Sequence, residues 1–441
     1  MTNGLKFLPF LALIILITLI TACAGPRVNM TPQQEAEMIF AEANRLQDAD
    51  LYNEASAQLQ EFLAKYPESN NADNAKLKIA DGHYYQGQYD LAIEVYNEII
   101  KQFPNGDSAD WAMLGIGDSY FAMNKNHKAI EAYEKIIDKY PRFNKEVTLD
   151  AQERINAVSD IEENIRIIRD GDSGSNIKDN AQYDIANIFF TVFNDNKRAI
   201  EEFQVVLDRW PKSELADDAM WKIGESYWAI ARKKLPSRVF SDEKKAYIEL
   251  IEIFDRYPQL AKLEMFHLDV HWPAGKRGDS YELAYAQTRR IVNKYPDIKK
   301  KQTYDFLPEN YKKAFKTWQD VIFAYSYSDT AAYAREKIAL AYVDLGNLYY
   351  NMGMKHFGSL LYRESVTAKT TPEGHLGMAR YYANITSTSG LPWAYRRAFF
   401  HIKKAEELTP PDSPTANEVA WAKEWMNYKM RIESLENWPE Y

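Results

Sequence analysis

The stretch Ala92-Ile93-Glu94-Val95-Tyr96-Asn97-Glu98-Ile99-Ile100-Lys101-Gln102-Phe103-Pro104 decides how this chain folds. Counting back from Pro104, a small residue stands at −12 (Ala92), large apolar ones at −8 (Tyr96) and −5 (Ile99), and an aromatic at −1 (Phe103). Steps of 4, 3 and 4 place these side chains on one face of an α-helix. The proline ends that helix, because it has no N–H to donate and pushes its predecessor out of the helical region.

The same register recurs along the chain. Ala55, Leu59, Phe62, Tyr66 and Pro67 fit it, as do Ala129, Tyr133, Ile136, Tyr140 and Pro141. Ala199, Phe203, Val206, Trp210 and Pro211 follow, and then Ala246, Leu250, Ile253, Tyr257 and Pro258. Ala284, Ile291, Tyr295 and Pro296 keep the frame while Thr288 interrupts the stripe, and Ala398, Ile402, Ala405 and Pro410 make a weaker seventh copy. Each such helix follows another amphipathic segment with a small residue three before an aromatic, as in Gly117 and Tyr120 or Gly224 and Tyr227. Gly87-Gln88-Tyr89-Asp90 and Asn124-Lys125-Asn126-His127 read as the turns of antiparallel helical hairpins.

Helix, turn, helix, proline, with Pro67, Pro104 and Pro141 spaced 37 residues apart, resembles the tetratricopeptide repeat over residues 35–296. The resemblance implies an all-α, TPR-type α-solenoid of antiparallel helical hairpins, with a groove lined mostly by first helices and a degenerate helical C-terminal section. The packing positions are Ala55, Ala92, Ala129, Ala199, Ala246 and Ala284, with Pro67, Pro104, Pro141, Pro211, Pro258 and Pro296 as terminators.

Composition agrees with a stacked array. The 441 residues are 46% hydrophobic and 14% aromatic, with too few Gly (18) and Pro (18) for a disordered chain. A formal net charge of −9 argues against nucleic acid as a partner, since phosphate binding needs a basic face.

The single cysteine, Cys23, follows an apolar run from Phe7 to Ile20 with Lys6 ahead of it. The run is shorter than the roughly 20 residues a spanning helix needs and suits a signal-peptide core. Ile20-Thr21-Ala22-Cys23 resembles the lipobox of bacterial lipoproteins. That resemblance implies cleavage before Cys23 and its lipidation by palmitate-type acyl chains, which hold a protein on a membrane without spanning it. Ala24 after the cysteine implies, by the enteric sorting rule, the outer membrane, with the chain facing the periplasm.

The expected organisation is a signal peptide over 1–22, a lipidated cysteine and tether over 23–34, and three units over 35–141. A degenerate unit or hinge follows over 142–179, further units over 180–296 and the degenerate helical section over 297–441. Thr31-Pro32-Gln33-Gln34 carries the capping-box pattern that starts the first helix. A helix is expected around Leu149 to Ile168, and a terminal one from Glu418 to Glu436 with Trp421, Trp425 and Tyr428 on one side.

Chemistry is sparse. His267, Asp269 and His271 form the one metal-like cluster, but nothing supplies further ligands, so neither metal nor cofactor is expected. No His-Glu-x-x-His, Gly-x-Ser-x-Gly or phosphate-loop pattern occurs, and the chain reads as a non-enzyme. Lys299, Lys300 and Lys301 read as a solvated turn. Of the paired tyrosines, Tyr84, Tyr120, Tyr227 and Tyr349 are expected to pack between helices, whereas Tyr85 and Tyr350, with the groove around Tyr84, are candidate partner contacts.

The lipobox followed shortly by repeats, together with His83-Tyr84-Tyr85-Gln86-Gly87-Gln88-Tyr89-Asp90-Leu91-Ala92-Ile93, resembles the BamD (YfiO) lipoproteins of the outer-membrane β-barrel assembly machinery. That resemblance implies a protein-binding scaffold whose partners are the barrel insertase and unfolded outer-membrane proteins. Residues 75–141 are also similar to the CpoB (YbgF) repeats of the Tol–Pal system, which coordinates envelope constriction. A SusD-like glycan-binding lipoprotein is the alternative from a different class, with Trp272 and Trp393 as its aromatic platforms.

Overall fold

The computed structural model describes residues 31–48, 51–139, 146–170, 174–234, 236, 240–256, 260, 279–389 and 392–432. Among them the regular structure is eighteen α-helices and two short 3₁₀ turns, with no strand. Cys23, Tyr140, Pro141, Tyr257, Pro258, His267, Asp269, His271 and Trp272 lie outside the described residues, as does the side chain of Trp393.

Two compact units divide at Ile155, inside one long helix. The first unit holds α1 (Pro32–Asp48), α2 (Tyr52–Lys65), α3 (Ala72–Tyr85), α4 (Tyr89–Gln102), α5 (Asp107–Ala122) and α6 (Asn126–Lys139). The dividing helix is α7 (Glu146–Arg169), close to the bounds read from sequence. Helix α1 starts with a reciprocal capping box, in which the Thr31 amide donates to Gln34 Oε1 at 2.9 Å and the Gln34 amide to Thr31 Oγ1 at 3.2 Å. Successive helices pack as antiparallel hairpins α1–α2, α3–α4 and α5–α6, and α2 on α3 and α4 on α5 join the hairpins.

The 4-3-4 stripe is the core of this unit. Ala55, Leu59 and Phe62, Ala92, Tyr96 and Ile99, and Ala129, Tyr133 and Ile136 are all buried. Within a hairpin the ring of the second helix lies over a glycine of a first helix. A methyl group added at Gly117 of α5 would overlap the Tyr133 ring of α6, and between hairpins one at Gly115 of α5 would overlap the Tyr96 ring of α4. Gly117 is therefore matched to a ring of the second helix, and not to Tyr120 three residues on along its own helix. The hairpin turns need a left-handed residue two positions before the second helix: Gly87 (φ 75°) before Tyr89 and Asn124 (φ 57°) before Asn126.

The second unit continues with α8 (Ser175–Thr191), α9 (Asn196–Arg209), α10 (Ala216–Arg232), α11 (Asp242–Arg256) and α12 (Asp279–Lys294). It ends with α13 (Glu309–Ala324), α14 (Asp329–Asn351), α15 (Lys355–Ala368), α16 (Pro372–Ser389), α17 (Pro392–Leu408) and α18 (Ala416–Ile432). Asn194 (φ 47°) and Gly353 (φ 86°) occupy the same turn position before α9 and α15.

Here the structure corrects one expected pairing. Helix α10 packs on α13, and not on α11, which carries Ala246 and Leu250. Trp318 of α13 lies over Gly224 of α10. Ala314, Trp318, Val321 and Tyr325 keep the 4-3-4 steps, and the first three are fully buried. Ser326, and not proline, follows Tyr325, so the terminator that marks the other copies is missing here. Residues 233–308, including α11 and α12, are thus an insertion between the two helices of one hairpin. Ala246, Leu250, Ala284 and Ile291 are buried nonetheless, in the core that the insertion shares with α13, α14 and α15. Thr288, which breaks the apolar stripe of α12, is buried with its hydroxyl donating to the Ala284 carbonyl at 2.9 Å.

Beyond Tyr304 the hairpin geometry persists where the sequence pattern faded. Tyr362 of α15 lies over Gly346 of α14, and α16–α17 forms a further hairpin around Ala398, Ile402 and Ala405. The terminal helix differs from expectation in its orientation: α18 buries Val419 and Met426, so Trp421 (68%) and Tyr428 (61%) face outward.

Candidate interaction face

In the first unit the turn between α3 and α4 gathers four tyrosines. Tyr84 meets Tyr85 edge-on at 5.4 Å and Tyr89 at 5.6 Å, and Tyr85 stacks on Tyr52 of α2 at 5.6 Å and 23°. Tyr84 is half-buried against the α3–α4 core, whereas Tyr85 keeps 59% of its surface. Local sequence explains the arrangement: α3 ends at Tyr85, and left-handed Gly87 folds Tyr89 back toward Tyr84.

Behind these rings lie two aspartates on first helices. Tyr96 donates its hydroxyl to Asp81 at 2.7 Å, and Tyr133 donates to Asp118 at 2.7 Å. Arg154 adds an Nε–H bond to Asp118 at 2.9 Å. Burial pushes the Asp81 carboxyl up to about 6, against the Tyr96 hydrogen bond, and the Asp118 charge adds to the rise. Burial raises Asp118 as well, against the attraction of Arg154. The two phenols are displaced upward by burial and by the carboxylates they bond, so they remain donors at any physiological pH.

The expected partner contacts separate. Tyr85 is exposed beside Tyr84, but Tyr350 is only 9% exposed. Its ring belongs to the core of α14, α15 and α16, with the Arg380 guanidinium 4.4 Å from its centroid, because Gly358 of α15 closes against its backbone. Tyr349 is buried, while Tyr120 and Tyr227 are half-buried. Lys299 and Lys300 are exposed, and Lys300 pairs with Asp297 at 2.8 Å. The stacking of Tyr52 on Tyr85 has no signal in the sequence, whereas the half-buried Asp81 and Asp118 have one. Each stands fifteen residues before a tyrosine of the stripe, Asp81 before Tyr96 and Asp118 before Tyr133.

Among the described residues no helix is long and apolar enough to cross a membrane. Residues 32–164 match the YfiO family, described as an outer membrane lipoprotein. That stretch takes in α1 to α6 and most of α7, and with them the tyrosine cluster and both half-buried aspartates. No curated protein matches the sequence. Among solved structures, a tetratricopeptide repeat protein from Parabacteroides merdae is similar at 11% identity and TM-score 0.22, over 89% of this chain and 99% of that one. The P58(IPK) TPR domain is 13% identical at TM-score 0.24, over 90% and 99%. Yeast Tom70 is 10% identical at TM-score 0.23, over 91% and 90%.

Proposed function

We propose that this protein is a lipid-anchored, non-catalytic scaffold on the periplasmic face of the outer membrane that serves β-barrel assembly. The observation that supports it most is the YfiO match over residues 32–164, which coincides with three regular hairpins downstream of the lipobox at Cys23. The face built by Tyr52, Tyr84, Tyr85 and Tyr89 is the proposed contact surface for the barrel insertase and unfolded barrel proteins. Tyrosine suits that task, since its ring offers contact area at little entropic cost and its hydroxyl bonds to exposed backbone. Acyl chains on Cys23 would keep this face near the membrane where barrels insert.

The test is depletion of the protein in its own host, read by the fraction of outer-membrane barrels that resist unfolding in cold detergent. The proposal expects that fraction to fall, and Cys23→Ser to release the chain from the membrane and fail to restore it. Unchanged barrel content after depletion contradicts the assembly role.

A further inference from the structure

Within the second unit, between α7 and the α8–α9 hairpin, lies a solvent-open cavity of about 350 Å³. Its floor is apolar: Ile161, Ile165 and Ile168 of α7 face Ile185 and Phe189 of α8. No glycine on α7, α8 or α9 lets a facing ring close the gap, as Gly117 does under Tyr133. Apolar surface is therefore left lining space and not another helix.

The rim is basic. Arg169, Arg198 and Arg209 line the same cavity, in a chain whose net charge is −9. The Arg198 guanidinium sits 4.1 Å from the centroid of the Phe189 ring, which fixes its position at the cavity wall. Arg169 and Arg209 are exposed and make no salt bridge among the described residues. The one acid in the lining, Glu202, accepts a hydrogen bond from Gln182 Nε2 at 2.7 Å.

We infer that this cavity binds a peptide segment in which an acidic side chain neighbours large apolar ones. The guanidinium forks of Arg169 and Arg209 each match a carboxylate in two parallel hydrogen bonds. The isoleucines take the neighbouring apolar side chains out of water. The site is separate from the tyrosine face, so it stands whether or not the barrel-assembly reading does.

The test uses the full chain in detergent with its isoleucine methyl groups labelled for NMR. The probe is a blocked octapeptide, Gly-Ser-Leu-Glu-Leu-Phe-Gly-Ser, compared with its Glu-to-Gln counterpart and with inorganic phosphate. The inference expects saturable shifts at the methyls of Ile161, Ile165, Ile168 and Ile185, with affinity lower by about tenfold or more for the Gln peptide. The double variant Arg169→Gln, Arg209→Gln is expected to lose the same preference, and Tyr85→Ala to keep it. Both arginines are exposed, so an unchanged melting curve will show that the variant folds. Equal binding of the two peptides, shifts produced by phosphate alone, or no shift at these four methyls overturns the inference.

Discussion

The hydroxyl of Tyr96 donates to the carboxylate of Asp81 at 2.7 Å, tying the second helix of a hairpin to the first across fifteen residues. The same bond at the same spacing joins Tyr133 to Asp118 at 2.7 Å and Tyr362 to Asn347 at 2.8 Å. Three hairpins, two of them at the start of the chain and one far beyond, therefore share one polar lock beneath the apolar stripe. In the last of them an amide does the work of the carboxylate.

That substitution points to a pH-dependent prediction. Burial lifts Asp81 from its ordinary 3.8 to about 6, so the folded state binds a proton more readily than the unfolded one. Stability from this group is full below about pH 4 and is lost as pH rises through 6. Asp81→Asn keeps the acceptor for Tyr96 without the charge. It is expected to raise unfolding free energy by about 2 kcal/mol at pH 8 and to have little effect at pH 4. Urea unfolding at the two pH values checks this, and an equal gain at both removes the explanation.

The ring-over-glycine contact gives a differential prediction. Gly117→Ala forces a methyl into the Tyr133 ring and is expected to cost about 1–3 kcal/mol by overpacking. Gly82→Ala meets nothing closer than 3.4 Å and gains helix propensity, so a change of about +0.5–1 kcal/mol is expected. Melting curves of the two variants should move in opposite directions.

The insertion has its own signature. Trp318→Ala leaves a void over Gly224 and is expected to cost about 3–5 kcal/mol, with faster hydrogen exchange in α10 and α13. Leu250→Ala is expected to speed exchange in α11 while α10 stays protected. If Leu250→Ala loosens α10 as strongly as Trp318→Ala does, the pairing of α10 with α13 is wrong.

Lys244 titrates in the opposite sense to Asp81. Its ammonium lies 3.6 Å from the Phe357 centroid, 3.9 Å from Phe240 and 4.8 Å from Tyr349, and its nearest polar partner is the Phe306 carbonyl at 3.3 Å. Burial lowers its pKa to about 7, although the ring faces favour the charged form and offset part of that cost. The unfolded lysine holds its proton up to about 10.4, so folded stability should rise with pH between 7 and 10. Lys244→Met is expected to flatten that slope in thermal melts taken across the range.

How much was legible follows from what each residue must satisfy. Ala92, Tyr96 and Ile99 are constrained by a neighbour on every turn, so their spacing betrays the hairpin. Trp318 obeys the same constraint, but 76 inserted residues separate it from Gly224, and no proline marks the end of its helix. Helix α11 satisfied the pattern alone, because an amphipathic helix ending in an aromatic and a proline needs no particular partner. Tyr350 was misplaced for a related reason. Adjacent residues on a first helix point about 100° apart, and in α14 both directions are covered, one by α15 and one by α16. The tyrosine cluster was half legible: Tyr84 and Tyr85 stood out as a pair, whereas Tyr52 enters only through the stacking of α2 on α3.

The most direct test of the scaffold places a photo-crosslinking amino acid at Tyr85 in living cells, with the same group at exposed Tyr333 as the control. The account predicts a crosslink from position 85 to the outer-membrane barrel insertase or to an unfolded barrel protein, and none of either from position 333. No such adduct at position 85, or the same adduct from both positions, would contradict it.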